Sequence, residues 1–257
     1  MQKLKNKIVH ITGASSGIGK ACAKAFAKEG AKLILSARRI DRLIKTSKQL
    51  EKDYGINIYS FEVDIRNQQM IEKQIGALPE DFRNIDILIN NAGLSRGLDK
   101  LHEGEIQDWE EMIDTNIKGL LYISRAIIPG MVERESGDII NVGSIAGHEV
   151  YPGGNVYCAT KHAVDAITKG LRIDLLGTPL RVCTVDPGMV ETEFSEVRYR
   201  GNKEKAKSVY KGFQPLDAAD IADCIIYAAT RPAHVQIAEM LVLPTAQRSA
   251  TNIWKNR

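Results

Sequence analysis

Tyr157 precedes Lys161 by four positions in the stretch YCATK, with only small residues between them. Side chains at this spacing lie on the same face of an α-helix. A phenol ordinarily titrates near pH ~10 and an ammonium near pH ~10.4. Because a nearby ammonium favours the phenolate, the pair would form a proton donor and a residue that lowers its pKa. Two ordinary helix residues would show the same spacing, so the rest of the sequence has to decide between these interpretations.

A glycine-rich stretch, TGASSGIG at residues 12–19, follows a short apolar run and opens a helical pattern. Glycines allow the backbone to turn sharply and approach a pyrophosphate, and the helix N-terminus offers free N–H groups and a favourable dipole. The spacing Gly-x-x-x-Gly-x-Gly differs from the Gly-x-Gly-x-x-Gly motif, and the Gly-Lys-Ser/Thr of a phosphate-binding loop is absent. The position of the stretch between a strand and a helix predicts a dinucleotide site.

The residues after the second apolar run indicate which dinucleotide binds. NAD sites commonly place a carboxylate here, hydrogen-bonded to the ribose hydroxyls. This chain has Ala37 at that position, and Arg38 and Arg39 follow. Guanidinium groups suit a 2′-phosphate because they can bind it through two hydrogen bonds. A solvated basic pair opening the next helix would look the same, but together with the glycine-rich stretch the arginines favour NADP.

The elements that carry these residues alternate along the chain. Short apolar runs that predict strands occur at residues 7–12, 31–36, 56–63, 85–90, 138–143, 180–186 and 239–243. Helical patterns lie between them, such as 18–29, which ends at Gly30, and 108–134, which we expect to kink or end near Pro129. This alternation predicts an α/β fold, a Rossmann-type doubly wound parallel sheet of about seven strands with helices on both faces. No linker-like composition interrupts it, so residues 1–257 are predicted to form one domain.

The composition argues against several classes of protein. The 35 basic and 32 acidic residues leave a net charge of +3, without a basic run that would predict nucleic-acid binding. No stretch approaches the ~20 apolar residues of a membrane span, and the first apolar run is too short for a signal peptide, so we expect a cytoplasmic protein. The four cysteines and His10, His148 and His162 show no metal-ligand spacing, and no metal site is predicted.

Six motifs in order make the chain resemble the short-chain dehydrogenase/reductase family. They are TGASSGIG (12–19), NNAG (90–93), NIKG (116–119), GSIAG (143–147), YCATK (157–161) and PGMVET (187–192). Within the family the chain looks most like the NADP-dependent 3-hydroxy acid dehydrogenases, which include serine and L-allo-threonine dehydrogenases, through DWEEMIDTNIKGL, GGNVYCATK, TEFSEVRYRG and RPAHVQI. One departure is LVLPTAQ after the last strand, where many members have a Gly-Gly pair.

The resemblance implies a catalytic group and assigns it to Asn116, Ser144, Tyr157 and Lys161. Tyr157 would be the general acid in reduction and the general base in oxidation. Ser144 would hydrogen-bond the developing alkoxide. Lys161 would lower the pKa of Tyr157 and hold the nicotinamide ribose, and Asn116 would place a water that links Lys161 to solvent.

The resemblance also implies a set of NADP-binding residues. They are Gly13, Ser15, Ser16, Gly17, Ile18, Gly19, Arg38, Arg39, Asp64, Ile65, Asn91, Tyr157, Lys161, Pro187, Gly188, Val190 and Thr192. Asp64 would bind the adenine amino group, Asn91 would lie near the adenosine ribose, and Thr192 would bond the nicotinamide carboxamide. A loop-capping Asp64 and a helix-capping Thr192 are the alternatives without a ligand.

The predicted substrate is a small hydroxy acid or carbonyl compound, bound by Ser144 and Tyr157. Its carboxylate needs a cation, and EVRYRG offers Arg198 and Arg200 within a segment, around residues 192–215, that the resemblance implies is a lid. Two solvated arginines are the alternative. The resemblance further implies a homotetramer formed through the helices near 108–134 and 155–176.

Other functions stay open at this point. A sulfoacetaldehyde reductase or another small carbonyl reductase would need the same chemistry, with sulfonate in place of carboxylate. A 3-oxoacyl carrier-protein reductase would need a basic docking patch at the pocket mouth. A non-catalytic NADP sensor could dispense with Tyr157 or Lys161, yet all four catalytic positions are filled.

Overall fold

The computed structural model of the chain describes residues 3–256. Within that range its strands are β1 (Ile8–Thr12), β2 (Lys32–Ala37), β3 (Ile58–Glu62), β4 (Ile87–Asn90), β5 (Asp138–Val142), β6 (Arg181–Pro187) and β7 (Glu239–Val242). They form one seven-stranded sheet in the order β3-β2-β1-β4-β5-β6-β7. Every neighbouring pair is parallel. The apolar runs therefore predicted the strands to within two residues at each end.

Helices cover both faces of this sheet. They are α1 (Gly17–Lys28), α2 (Ile40–Tyr54), α3 (Gln68–Gly76), α4 (Ile106–Ile113), α5 (Leu120–Glu133), α6 (Asn155–Asp174), α7 (Phe194–Arg198), α8 (Lys203–Ser208) and α9 (Ala218–Ala229). Residues of α1, α2 and α9 pack with Val9 and Ile11 in one core cluster. Residues of α3, α5 and α6 pack with Ile8 and Leu88 in a second cluster on the opposite face. Because both faces are buried, the strands read as continuous apolar runs, and the predicted fold class is confirmed.

The long helical pattern at 108–134 does not break where the sequence suggested. Pro129 lies inside α5, which continues to Glu133, so the helix does not end at Pro129, and a kink there stays a prediction. The side chains of Pro129 and Arg125, the residue that loses a hydrogen-bond donor, are exposed, and water can satisfy the freed carbonyl. The break occurs earlier, as a π-helical segment at Asp114–Gly119 between α4 and α5.

The order of the strands places a cleft at one edge of the sheet. The chain moves outward from β1 to β2 and β3, and then returns to the other side of β1 with β4. The loops after β1 and β4 therefore diverge at the carboxyl ends of neighbouring strands, which is where open α/β sheets bind their ligands. Within the described residues, no helix has the combination of length and apolarity needed to cross a membrane.

Candidate active site

A cleft of about 540 Å³ lies at this carboxyl edge. Most sequence-predicted site residues line it, namely Gly13, Ser15, Ser16, Gly17, Ile18, Arg38, Arg39, Asp64, Ile65, Asn91, Ser144, Tyr157, Lys161, Pro187, Gly188, Val190, Thr192 and Arg198. Three others, Gly19, Asn116 and Arg200, do not line it. The fold thus gathers residues from the ends of β1 to β6 around one space.

The glycine-rich loop has the close packing that a pyrophosphate site requires. Gly13 has φ +67°, and a Cβ there would lie 2.9 Å from Ala92 Cα. A Cβ on Gly19 would lie 2.6 Å from the Gly13 carbonyl oxygen, so Gly19 allows the tight turn although it does not line the cleft. Ser16 occupies the N-cap position of α1 without a side-chain capping bond. The first N–H groups of α1 are therefore available to an anion, and the loop fits a dinucleotide phosphate.

Arg39 extends across this loop from the end of β2. Its Nη2 donates to the hydroxyls of Ser16 (2.7 Å) and Ser15 (3.1 Å), and its Nη1 donates to Glu193 Oε2 (2.9 Å). Arg38 is more exposed and lies 3.8 Å from Glu111 Oε1. With Ala37 beside them and no carboxylate at that position, both guanidinium groups fit a 2′-phosphate.

Two residues predicted to contact the adenosine are held by neighbouring groups. Asp64 pairs with Arg66, and this hydrogen bond lowers the pKa of the Asp64 carboxyl. Its carboxylate is therefore ionised at neutral pH and can accept a bond from an amino group. Asn91 Nδ2 donates to the Thr12 carbonyl (2.8 Å), which ties the loop after β4 to the end of β1.

Tyr157 lies near the start of α6 and is only 7% exposed. Burial raises the pKa of its phenol, while the Arg198 guanidinium and the Ser144 side chain lower it. Ser144, at the end of β5, also accepts a hydrogen bond from the Ala146 amide (3.1 Å). The sequence predicted Lys161 as the cation that lowers the pKa of Tyr157, whereas the cation that acts on the phenol here is Arg198.

Lys161 is one helical turn beyond Tyr157 and is equally buried. Its Nζ donates to the Val142 carbonyl (2.9 Å) at the end of β5. Burial lowers the pKa of Lys161 to about 8, and the negative charge of buried Asp186 opposes this shift. The ammonium therefore remains largely protonated at neutral pH, and its other two N–H groups are available for the cleft.

Asn116 lies behind the cleft, in the π-helical segment. Its Nδ2 donates to the Leu94 carbonyl (2.9 Å) and to Thr160 Oγ1 (3.0 Å), and its Oδ1 accepts from the Leu94 amide (2.9 Å). Both amide donors are used in this way. The side chain therefore connects the loop after β4 to α6. A water could bind only to an acceptor of Asn116, either Oδ1 or the backbone carbonyl.

Arg198, the last residue of α7, reaches the cleft next to Tyr157. Its guanidinium carbon lies 5.3, 5.1 and 6.0 Å from the ring centres of Tyr157, Phe194 and Tyr151. Nε donates to Ser95 Oγ and Nη2 to the Tyr151 hydroxyl, both at 3.1 Å. Within residues 3–256, Nη1 has no hydrogen-bond partner, so this cation keeps donors for an anion in the cleft.

Arg200, the reserve candidate for the same role, points away from the cleft. It follows the end of α7 with φ +50°, and its mostly exposed side chain donates to Asp108 Oδ1 (2.6 Å). The two arginines diverge because α7 ends at Arg198 and the chain then turns, with Arg200 in the left-handed region of the backbone. The structure therefore brings Arg198, but not Arg200, to Tyr157.

Thr192 and the loop after β6 complete the cleft. Thr192 Oγ1 accepts from the Phe194 amide (3.2 Å), so it stabilises the start of α7 while it also lines the cleft. The buried Gln247 accepts from the Met189 amide (2.9 Å) and lies so near Gly188 that a Cβ there would clash with it. The unusual LVLPTAQ segment thus supports the loop that holds Pro187 and Gly188.

The sequence reasoning missed Ser95, Tyr151, Glu193 and Gln247. Glu193 stood beside Thr192, and Gln247 lay in the segment that departs from the family pattern. Ser95 and Tyr151 gave no signal, because their role depends on where α7 places Arg198.

Comparisons with known proteins match this arrangement. The family model described as short chain dehydrogenase matches residues 7–203. An NADP-dependent 3-hydroxy acid dehydrogenase of Schizosaccharomyces pombe is 45% identical over the whole of both chains. The sulfoacetaldehyde reductase 2 of Chromohalobacter salexigens is 43% identical, over 93% of this chain and 95% of the relative. The closed form of a serine dehydrogenase complexed with NADP⁺ superposes with a TM-score of 0.91 at 43% identity, covering 97% of this chain and all of that one. The chain therefore belongs to the short-chain dehydrogenase family.

Proposed function

We propose that the chain is an NADP-dependent oxidoreductase that interconverts a small 3-hydroxy acid with its 3-oxo acid or semialdehyde. The observation that carries this proposal is the guanidinium of Arg198 beside the Tyr157 ring, with one nitrogen free to bind an anion. A substrate carboxylate on Arg198 would hold a hydroxyl or carbonyl group a short distance away, next to Tyr157. The names of the S. pombe relative and the serine dehydrogenase structure support the same class of substrate.

The proton chemistry follows from the buried residues. In reduction the Tyr157 hydroxyl donates its proton to the carbonyl oxygen, and in oxidation the phenolate takes the proton from the alcohol. Ser144 donates a hydrogen bond to the same oxygen and stabilises its developing charge. NADP, when bound, supplies or accepts the hydride. The Arg198 guanidinium opposes the effect of burial on the pKa of Tyr157, and Lys161 and Arg198 would hold cofactor and substrate groups in place.

The glycine-rich loop and the arginines after β2 would hold the cofactor. The open N–H groups of α1 would bind the pyrophosphate, and Arg38 and Arg39 would bind the 2′-phosphate. Asp64 and Ile65 would contact the adenine, while Thr192 and Lys161 would contact the nicotinamide half. These assignments rest on the position of each residue along one continuous cleft.

A screen of NADP-linked oxidation tests the proposal, with L-serine, L-allo-threonine, 3-hydroxypropionate, 3-hydroxyisobutyrate and isethionate as substrates. Asp64 and Glu193 are the carboxylates that line the cleft within the described residues, and both pair with arginines at the adenosine end. In the described part of the chain, no carboxylate lines the cleft beside Arg198 to hold an α-ammonium group. We therefore expect higher kcat/KM for 3-hydroxypropionate or 3-hydroxyisobutyrate than for L-serine. Lack of turnover with every hydroxy acid would refute the proposal.

A sulfonate-bearing aldehyde is the second candidate substrate. The C. salexigens relative is named for sulfoacetaldehyde reduction, and the Arg198 site would accept either anion. Isethionate in the same screen separates the two functions, because preference for it over 3-hydroxypropionate would favour the sulfonate.

We also propose that the protein works as a homotetramer in the cytoplasm. Large apolar side chains are exposed on the helices predicted to form the interface, including Ile106 of α4, Leu121 of α5 and Ile173 of α6. The cysteines are free, which suits a reducing compartment. Light scattering after size-exclusion chromatography tests the assembly, and a monomeric mass would contradict it.

A further inference from the structure

Glu193 lies between Thr192 and α7 and has no role in the proposed mechanism. It immediately follows Thr192 and directly precedes α7, which ends at Arg198. Its backbone therefore belongs to the start of the 192–215 segment that is predicted to be a lid. Its side chain turns the other way, towards the arginines that follow β2.

Two guanidinium groups hold this carboxylate. Oε2 accepts from Arg39 Nη1 at 2.9 Å, and Oε1 accepts from Arg42 Nη1 at 2.8 Å. Burial opposes ionisation, but hydrogen bonds from both arginines lower the pKa of Glu193, so it is charged at neutral pH. The same Arg39 donates to Ser15 and Ser16 on the other side of the cleft. One guanidinium thus connects the glycine-rich loop with the first turn of the lid.

The charges explain what this connection does to the cofactor. Arg38 and Arg39 carry positive charges at the place proposed for the 2′-phosphate, and Arg42 pairs with Glu193 beside them. The carboxylate of Glu193 already neutralises part of this charge and occupies one side of Arg39. A 2′-phosphate bound to Arg39 would lie close to a like charge, which weakens its binding. The same ion pairs connect the start of the 192–215 segment to the arginines that follow β2.

We propose that Glu193 is a positioning residue with two opposite effects: it weakens NADP binding and it stabilises the closed lid through Arg39 and Arg42. The inference rests on the proposed position of the 2′-phosphate. It implies that the cofactor is released more readily, because Glu193 competes with the 2′-phosphate for Arg39. Removing only the charge of Glu193 should therefore move the two properties in opposite directions.

The test compares Glu193→Gln with Glu191→Gln. Glu191 is exposed and makes no ion pair within the described residues, so its variant removes the same charge without breaking a contact. NADPH affinity is measured by fluorescence titration. Lid closure is measured without any substrate, as the rate of tryptic cleavage in the lysine-rich segment 203–211 at saturating NADPH.

For Glu193→Gln we expect NADPH to bind about two- to fivefold more tightly and the lid to be cleaved about two- to fivefold faster, the scale of partly exposed ion pairs. Glu191→Gln should match wild type in both. A folding defect would instead weaken NADPH and NADH binding together. Any combination other than tighter binding with faster cleavage would overturn the inference.

A third variant separates this inference from the assignment on which it rests. Arg39→Met should weaken NADPH binding while leaving NADH binding unchanged. If both cofactors are unaffected, the proposed 2′-phosphate site is wrong, whatever Glu193 does. If Arg39→Met weakens only NADPH binding and Glu193→Gln still behaves like Glu191→Gln, the assignment of the 2′-phosphate site is supported and the proposed role of Glu193 is wrong.

Discussion

At Tyr157, opposing effects act on a single proton. Burial raises the pKa of the phenol, and the nearby guanidinium of Arg198 and the Ser144 side chain lower it. The sequence spacing predicted that Lys161 lowers the pKa of Tyr157. In the structure Lys161 donates to the Val142 carbonyl, and the charge of Asp186 acts on its pKa. The cation beside the proposed proton donor is therefore Arg198, from the segment predicted to be a lid, and we expect the position of that segment to affect proton transfer.

Replacing Tyr157 by Phe removes the proton donor and leaves the ring that packs against Phe194. We expect NADPH affinity and thermal stability to stay near wild type, because the hydroxyl has no packing role. Turnover should fall by about 10²–10⁴-fold, the usual effect of removing a positioned acid or base. Steady-state kinetics beside an NADPH titration checks this, and a variant with more than about a tenth of wild-type kcat would refute the role of Tyr157.

Replacing Arg198 by Met removes the cation and keeps an apolar side chain of similar length. The KM for 3-hydroxy acids should rise about tenfold to a hundredfold, because a charge-assisted bond to the carboxylate is lost. Arg200→Met is the matched control, since that side chain pairs with Asp108 outside the cleft. A KM within about twofold of wild type for Arg198→Met would place the anion site elsewhere.

The same variant should change a pH profile. Reduction requires protonated Tyr157, so kcat/KM falls as pH rises through the pKa of the phenol. Arg198 lowers that pKa. In Arg198→Met the fall should therefore move to higher pH, measured with an uncharged aldehyde so that carboxylate binding plays no part. An unchanged profile would show that Arg198 does not tune Tyr157.

Among the elements, those with a strong pattern could be predicted and the others could not. The strands were evident because burial on both faces made them continuous apolar runs, and α1 because its apolar face ends at Gly30. The π-helical segment carries no pattern, since it only adds one residue to each turn. The five-residue helix α7 is too short to show a period, yet it decides that Arg198 and not Arg200 enters the cleft. The role of Glu193 depends on a pair with Arg39, 154 positions away, which no local pattern reveals.

The end of β2 offers a prediction about cofactor choice. Ala37→Asp with Arg38→Ala introduces a carboxylate for the ribose hydroxyls and removes one phosphate-binding guanidinium. We expect the ratio of NADP to NAD efficiency to fall at least tenfold, because a charge-assisted bond to the 2′-phosphate is lost and a like charge is gained. kcat/KM with each cofactor measures the ratio. Wild-type protein that binds NADH as tightly as NADPH would contradict the assignment before any variant is made.

For the whole molecule, the sheet that builds the cleft also buries ionisable groups. His10 lies in the centre of β1, fully buried, with Nε2 2.9 Å from Ser36 Oγ and no partner for Nδ1 within the described residues. Burial lowers the pKa of His10 from 6.5 to about 3. The unfolded chain therefore binds a proton that the folded chain rejects, and between these two pH values stability falls as the solution becomes more acidic.

His10→Gln keeps a neutral group that can bond Ser36 but removes this proton linkage. Between pH 7 and pH 5, His10 should cost wild type about 2 kcal/mol of unfolding free energy, from 1.5 pH units at ~1.36 kcal/mol each. The loss of unfolding free energy between pH 7 and pH 5, measured by urea titrations, should be about 2 kcal/mol smaller in His10→Gln than in wild type. The variant should be less stable than wild type at pH 7, because its side chain packs less well. His234→Gln removes an exposed histidine and should keep the wild-type pH dependence. Equal losses of unfolding free energy in His10→Gln and wild type would mean that His10 can be protonated within the folded sheet. Water would then have to reach the centre of β1, or the residues near Ser36 would have to rearrange.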